Sequence, residues 1–326
     1  MEFLQRRSVL RSALALSLAA VGAGAGAQTF PTKPLTLVVG FAPGGAGDLI
    51  SRRVGQKMAQ SLGQPVVVEN RPGAGAVTAA TGVAKSAPDG HTMLLTGNGM
   101  TLTSVLFKSL PYSLQKDFQP VSTLAYFDLS FIASGDSEFK SLGEVLAWAK
   151  ANPGKLSIGS ARIGSTQHLA AEMFKAMAGL DATIVPYRAP ADMISGLRGK
   201  DIQLAVEIVP PILGQINGKT VRALAIASAK RFPGLPDVPT VAESGVPGFE
   251  ASSWAGIAVA ASTPRTIVDR LAKEIQAAVA SPDVKDPLQA LGYTAQASTP
   301  EEMGRRMAQD AIKWKAVIDK AGIPLQ

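Results

Sequence analysis

The chain contains no cysteine. That excludes disulfides, thiolate nucleophiles, thiolate metal ligands and an acylated N-terminal cysteine. Histidine is nearly as scarce, with only His91 and His168, far apart. No H-x-x-x-H pair or Cys/His cluster of the kind that holds zinc is present. Aromatic residues make up 6% of the chain. There is no Lys/Arg run and no basic stripe interleaved with aromatics, which argues against a nucleic-acid partner. No Gly-x-Ser-x-Gly elbow occurs, and the serines have no His/Asp partner pattern, so no nucleophile system is legible. Beyond the N-terminus, no stretch is long and apolar enough to cross a bilayer.

What is present begins with an export segment. Arg6, Arg7 and Arg11 form a basic n-region, an apolar run from Ala13 to Val21 follows, and Ala25-Gly26-Ala27 supplies small residues for cleavage before Gln28. Residues 1–27 therefore read as a secretory signal peptide and the mature chain as periplasmic. The n-region fits the general secretion route. The pair Arg6-Arg7 with Val9-Leu10 also loosely fits a twin-arginine signal, which stays open as an alternative. Without Arg6, Arg7, Arg11 and Glu2, 29 basic and 24 acidic residues remain, a mild net charge of +5. About 300 residues allow two domains with good cores.

Short apolar runs alternate with helical patterns along the mature chain. Candidate strands are 35–41, 66–69, 92–96, 121–125, 131–134, 156–159, 183–185, 203–208, 221–227 and 256–260. Candidate helices are 48–62, 76–86, 141–151, 165–178, 190–198, 265–280 and 299–321. Strand–helix–strand repetition implies parallel α/β sheets, whose sites lie beyond the strand C-termini. The closing helix carries Met303, Met307, Ile312, Trp314, Val317 and Ile318, which read as a core-packing face.

The most informative stretch is Phe41-Ala42-Pro43-Gly44-Gly45-Ala46-Gly47-Asp48. It follows the apolar strand Leu35–Val39 and opens a helix with Ile50, Val54, Met58 and Leu62 at four-residue spacing. A Gly-rich strand-to-helix turn presents backbone N–H groups and the positive end of a helix dipole, which suits a carboxylate or a phosphate. It is no P-loop, because Ala46-Gly47 stands where Lys and Ser/Thr must be. The pattern recurs at Ser160-Ala161-Arg162-Ile163-Gly164-Ser165. Two such mouths suggest two lobes gripping one small anion. Asp48 reads as a cap of the helix or turn, and Ser165 as a helix cap. In Thr96-Gly97-Asn98-Gly99, the glycines allow close backbone approach and Asn98 both donates and accepts; an ordinary β-turn is the alternative. His91 and His168 read as structural, the latter buried and hydrogen-bonded.

Over nearly the whole mature chain these pieces resemble the Bug (TctC-like) family of extracytoplasmic solute receptors. The resemblance is carried by Phe41–Asp48, Glu69–Gly75, Ala87–Thr92, Leu110-Pro111-Tyr112, Lys116–Val121, Gly164-Ser165 with His168-Leu169, and Val185–Arg188. The signature continues through Leu235–Thr240, Ala242-Glu243, Gly245, Pro247–Glu250, Trp254 with Gly256, and Thr263-Pro264. The resemblance implies an α/β periplasmic-binding-protein fold of type II, with two lobes joined by two crossing strands near Tyr126–Leu129 and Glu250–Trp254. It assigns 28–127 plus 253–326 to lobe 1 and 128–252 to lobe 2. It further implies a monomeric, cofactor-free, non-enzymatic receptor that holds a small carboxylate largely by backbone N–H groups. Membrane permease subunits of a tripartite tricarboxylate transporter are the implied partner. A sensor feeding a histidine kinase, or an enzyme using the same cleft, are the rival readings.

The expected ligand-binding set is Phe41, Ala42, Gly44, Gly45, Asn98, Ser160, Arg162, Gly164, Ser165, Tyr187, Arg188 and Glu207. Arg162 replaces the glycine usual in the second mouth and offers a two-point grip on a carboxylate, unless it points to solvent. Ala189-Pro190 replaces the glycine usual after Tyr187-Arg188, which puts the local backbone path in doubt. Glu207, at the end of an apolar strand, either faces the ligand or pairs with Arg188 or Arg162.

N-terminal sequencing of the exported protein is expected to begin within a residue or two of Gln28. Recovery of the full-length chain from the cytoplasm would refute the export reading.

Overall fold

The computed structural model describes residues 30–73 and 76–326. The expected signal peptide and its cleavage site lie outside the described residues. Strands β1 (Leu35–Val39), β2 (Val66–Asn70), β3 (Thr92–Gly97) and β9 (Ser252–Ala260) form one sheet with the first part of β4 (Phe118–Ser134). The last part of β4 enters a second sheet with β5 (Leu156–Ser160), β6 (Ala182–Pro186), β7 (Leu204–Ile208) and β8 (Val221–Ile226). A two-residue strand, β10 (Thr294–Ala295), adds to β4.

β1–β2, β1–β3, β5–β6 and β5–β7 are parallel. Every pairing of β4 and β9 is antiparallel. The parallel sheets expected from the strand–helix repetition thus also carry antiparallel members, β4 and β9. The expected strands 121–125 and 131–134 are one 17-residue strand. Its intervening residues pair with β9 up to Asp128↔Ser252 and with β7 from Leu129↔Ile208.

Helices α1 (Ala46–Leu62), α2 (Val77–Ala84), α3 (Asn98–Leu106), α4 (Leu142–Ala151), α5 (Thr166–Ala178), α6 (Pro190–Arg198), α7 (Val209–Asn217), α8 (Arg265–Ala280), α9 (Pro282–Ala290) and α10 (Pro300–Ala321) cover the sheets. Three of them were not expected. α3 starts directly at the end of β3, without a loop, in a Gly/Thr/Ser-rich sequence of weak periodicity. α7 opens with Pro210-Pro211, which resembles a turn, yet proline is tolerated in a first helical turn where its missing N–H has no acceptor anyway. α9 likewise opens on Pro282 and carries an internal Pro287. Among the described residues, no helix is long and apolar enough to cross a membrane.

α10 ties the parts together. A capping box, Thr299 with Glu302, starts it, and Gly322 in the left-handed conformation (φ 63°) ends it. Its buried face runs Met303, Met307, Ala311, Trp314 and Ile318. Ile312, expected on that face, is 74% exposed. One residue turns the helix by about 100°, so the neighbour of the buried Ala311 faces solvent. Asp310 is buried and accepts from Trp254 Nε1 (2.8 Å) and Arg306 Nε (2.9 Å). Arg306 also donates to Ser252 Oγ (2.8 Å) and lies 5.5 Å from the Tyr126 ring centre. This cluster clamps α10 onto β4 and β9 where those strands pass between the sheets.

Removing one partner from a buried charged network leaves the other uncompensated. Asp310→Ala is therefore expected to cost about 3–5 kcal/mol in equilibrium urea unfolding. A loss under about 1 kcal/mol, the usual value of an exposed pair, would show that the clamp is solvated.

Candidate ligand-binding site

A cavity of about 390 Å³ opens at the C-terminal ends of the parallel strands, lined from both sheets. Three helices begin on its wall. α1 contributes Gly45, Ala46 and Gly47, α3 contributes Gly97 and Gly99, and α5 contributes Ser165, Thr166 and Gln167. The first N–H groups of each helix have no acceptor within their own helix, and each N-terminus carries a partial positive charge. Ile208, the residue before α7, also lines the cavity.

The first mouth is held from within. Gly44 donates its N–H to Asp48 Oδ2 (2.9 Å), and Asp48 also accepts from Arg52 (3.0 Å) and Asn70 (2.9 Å). Asp48 thus caps the turn, as expected, while the helix N-cap position itself is Gly45. The Gly44 N–H is consumed by the turn, which leaves the N–H groups after it to meet a ligand. The hydrogen bond from Arg52 holds the Asp48 carboxyl at about 2, below its ordinary 3.8, with Gly44 and Asn70 adding to the effect and burial opposing it.

The second mouth closes as a tight turn, with Ser165 N–H on Arg162 O (3.0 Å) and the Ser165 hydroxyl accepting from His168 N–H (3.1 Å). Gly164 sits at φ +79°, and a side chain there would also meet Leu106 at 2.5 Å. The turn therefore rests on the last residue of α3. At the start of α3, a side chain on Gly97 would strike Trp254 O at 2.2 Å, so glycine lets β3 pass directly against β9.

Of the twelve expected residues, Phe41, Gly45, Arg162, Gly164 and Ser165 lie on the cavity wall. Ala42 and Gly44 stand in the exposed first turn, off the wall. Ser160 is buried, and its hydroxyl donates to Ala161 O (3.0 Å). Tyr187 N–H pairs with Ser160 O (2.8 Å), and its ring lies against Gly196. Arg188 is exposed, off the wall.

Asn98 is fully buried rather than part of a surface β-turn. Its Nδ2 donates to Thr166 Oγ1 (2.7 Å), and its Oδ1 accepts from Trp314 Nε1 (2.8 Å). Both ends of its amide are used within the protein. Asn98 therefore brackets the starts of α3 and α5 side by side. Glu207 is buried and pairs with neither Arg188 nor Arg162. It accepts from Gln167 Nε2 (2.6 Å) and from the N–H of Ile208 (2.8 Å). Burial pushes its carboxyl upward, and these two donors oppose the shift. His168 is buried, as expected, and its Nδ1 has no hydrogen-bond partner among the described residues. Burial pushes it down, towards the neutral form.

Arg162 is the only ionisable side chain on the described wall, and among the described residues its guanidinium has no ion-pair or hydrogen-bond partner. The rest is largely apolar: Leu95, Met100, Leu102, Leu106, Phe127 and Trp254, with Phe41 and Ile163 at 43% and 51% exposure. Three of these, Met100, Leu102 and Leu106, were missed because α3 was not legible as a helix, so its cavity-facing side was not either.

An α/β molecule whose two sheets share a strand and flank a cavity at the helix N-termini has the architecture of a periplasmic solute-binding protein. The family model of the tripartite tricarboxylate transporter family receptor matches residues 50–323. The chain belongs to that family. It is 38% identical over 292 residues to a protein of the tcbD-tcbE intergenic region of Pseudomonas sp. strain P51, covering 89% of this chain and 87% of the relative. To BugT of Bordetella pertussis it is 33% identical over 313 residues, 95% and 96% of the two chains. Among solved structures it resembles an R. palustris protein with adipate (TM-score 0.76, 31% identity, 90% and 99% covered). It also resembles the periplasmic binding protein BugD (0.74, 33%, 91% and 100%). A third neighbour is MatC from Rhodopseudomonas palustris with bound malate (0.72, 31%, 89% and 100%).

The folded-state pKa of Asp48 lies below the unfolded one, so its stabilising effect is complete above about pH 4 and is lost as the pH falls towards 2. Urea titrations across that window should show Asp48→Asn less stable than the parent at neutral pH and less sensitive to acid. Parallel pH profiles for the two proteins would show that the Asp48 network contributes nothing.

Proposed function

We propose that this chain is a periplasmic receptor that binds a small organic carboxylate in the cavity and passes it to membrane permease subunits of a tripartite-type transporter. The observation that carries the reading is the convergence of three helix N-termini and an unpartnered arginine on one apolar-walled cavity. A desolvated carboxylate finds there what it needs, several N–H donors and a positive potential. The adipate- and malate-bound relatives support the same ligand chemistry.

In this reading, 28–127 plus 253–326 form one lobe and 128–252 the other. α1 and α3 present donors from the first, α5 and Arg162 from the second. A ligand held by both sets favours the closed arrangement, because only closure lets one molecule touch all of them. Export to the periplasm follows from the signal-like N-terminus.

A thermal-shift screen of mono- and dicarboxylates, amino acids and aromatic acids tests the reading. A true ligand at a hundred times its Kd adds about 2.7 kcal/mol of stability. A charge-assisted hydrogen bond is worth about 1.5–3 kcal/mol, so Arg162→Ala is expected to weaken the hit by about ten- to a hundredfold. Arg162→Lys should recover part of that loss, since an ammonium lacks the planar two-point contact. Unchanged affinity in Arg162→Ala would leave the backbone donors to grip the ligand alone. No stabilisation by any carboxylate would overturn the reading.

A further inference from the structure

Gln167 stands in the first turn of α5, two residues after the Ser165 cap, and lines the cavity with Arg162 and Gly164. Its amide is not free to turn. Nε2 donates to Glu207 Oε1 at 2.6 Å, and the same oxygen accepts the N–H of Ile208 at 2.8 Å. A carboxylate has no proton to give, so the opposite setting of the amide would place oxygen against oxygen. Glu207 is itself 3% exposed, near the end of β7 in the buried row Leu204–Glu207, so the anchor is fixed.

The result is a carbonyl oxygen with nothing to accept. Gln167 Oε1 has no hydrogen-bond donor among the described residues, and it is not one of the buried polar atoms shut away from solvent. A carboxylate only accepts, so this oxygen is the wrong partner for the charged end of a ligand. The hydroxyls of Ser165 and Thr166 on the same wall can give as well as accept, and an amide oxygen cannot. An oriented acceptor on a cavity wall calls for a donor from the ligand. Small organic acids commonly carry one of two, a hydroxyl or an ammonium. No acidic side chain lines the described wall. Taking an ammonium out of water without a counter-charge costs far more than taking a hydroxyl. The hydroxyl is the better fit.

Resting on the carboxylate reading above, we infer that the receptor selects hydroxy-acids over plain acids of the same skeleton. The hydroxyl donates to Gln167 Oε1 while the carboxylate is held by Arg162 and the start of α5. Gln167 lies in that same first turn, so the hydroxyl belongs on a carbon near the carboxylate. Glu207 touches no ligand. It is a positioning residue that decides which end of the Gln167 amide meets the cavity.

Calorimetry on the purified protein tests this with pairs that differ by one hydroxyl: malate and succinate, 2-hydroxyadipate and adipate, 3-hydroxybutyrate and butyrate, each hydroxy-acid as both enantiomers. In the pairs that bind, one enantiomer of the hydroxy-acid should outbind its plain partner by about two- to tenfold, the effect of one neutral hydrogen bond. Gln167→Met keeps the length of the side chain and removes the acceptor, and should bring that ratio to about one. Glu207→Gln supplies a group that gives as well as accepts and so permits both settings of the Gln167 amide. It should shrink the ratio while leaving the plain acids bound as before, which a merely structural role for Glu207 would not do. Plain acids that bind as tightly as their hydroxy partners overturn the inference and leave the carboxylate reading intact. So does a ratio that survives Gln167→Met, or aspartate binding more tightly than malate, which would put an ammonium at Gln167. A parent-like ratio in Glu207→Gln overturns its positioning role. Failure of all the acids to bind overturns both readings.

Discussion

The whole arrangement depends on one strand serving two sheets. β4 pairs with β9 through its first part and with β7 and β8 through its last. Its backbone hydrogen bonds are thus divided between two separately packed cores. One core is built on Leu37, Val54 and Ile257, the other on Phe131, Phe174 and Phe249. Each sheet then sends its parallel strands towards the same seam. The helices that follow β1, β3 and β5 start there because a helix following a strand of a parallel sheet begins where that strand ends. The cavity and the helix N-termini around it are consequences of connectivity as much as of any single side chain.

Two buried polar clusters reinforce that seam. Asp310, Arg306, Trp254 and Ser252 hold α10 to the passing strands. Asn98, Thr166 and Trp314 hold the starts of α3 and α5 against the same helix. Polar groups buried with their partners present are directional, so they fix the angle and spacing between elements that apolar packing alone leaves tolerant. Gln167 and Glu207 do the same for the wall beside Ile208. The arginine on the cavity wall takes part in none of these networks.

The sequence was most informative where local chemistry and fold agree. The Gly-rich turn after β1 and the Ser165 cap of α5 are where the residues placed them, because glycine and serine at a strand-to-helix junction have few other uses. α3 was missed because its sequence, Asn98-Gly99-Met100-Thr101-Leu102-Thr103, has poor helical propensity and no amphipathic period of the usual kind. It is helical because tertiary packing holds it, with Leu102 and Leu106 in the cluster of Trp314 and Met100 in that of Trp254, and the same residues reach the cavity wall. Both sides carry apolar residues, and the contrast that reveals a surface helix disappears. Ile312 failed in the opposite sense, an apolar residue whose spacing looked acceptable until the face buried by α10 was known.

Composition, the N-terminal export pattern, the two anion-binding turns and the alternation of strand and helix are properties of short segments, set by backbone sterics, capping and hydrophobic period. They were legible without any fold. Whether a polar residue meets the ligand or the protein is decided by what lies across from it, often far away in sequence. Thr166 takes a hydrogen bond from the Asn98 amide nitrogen while Trp314 gives one to its oxygen, and Glu207 is met by Gln167 and not by an arginine. Only the tertiary structure decides such pairings, because a buried hydrogen-bonding group takes its partner from the chain that packs against it, and local sequence does not encode which chain that is.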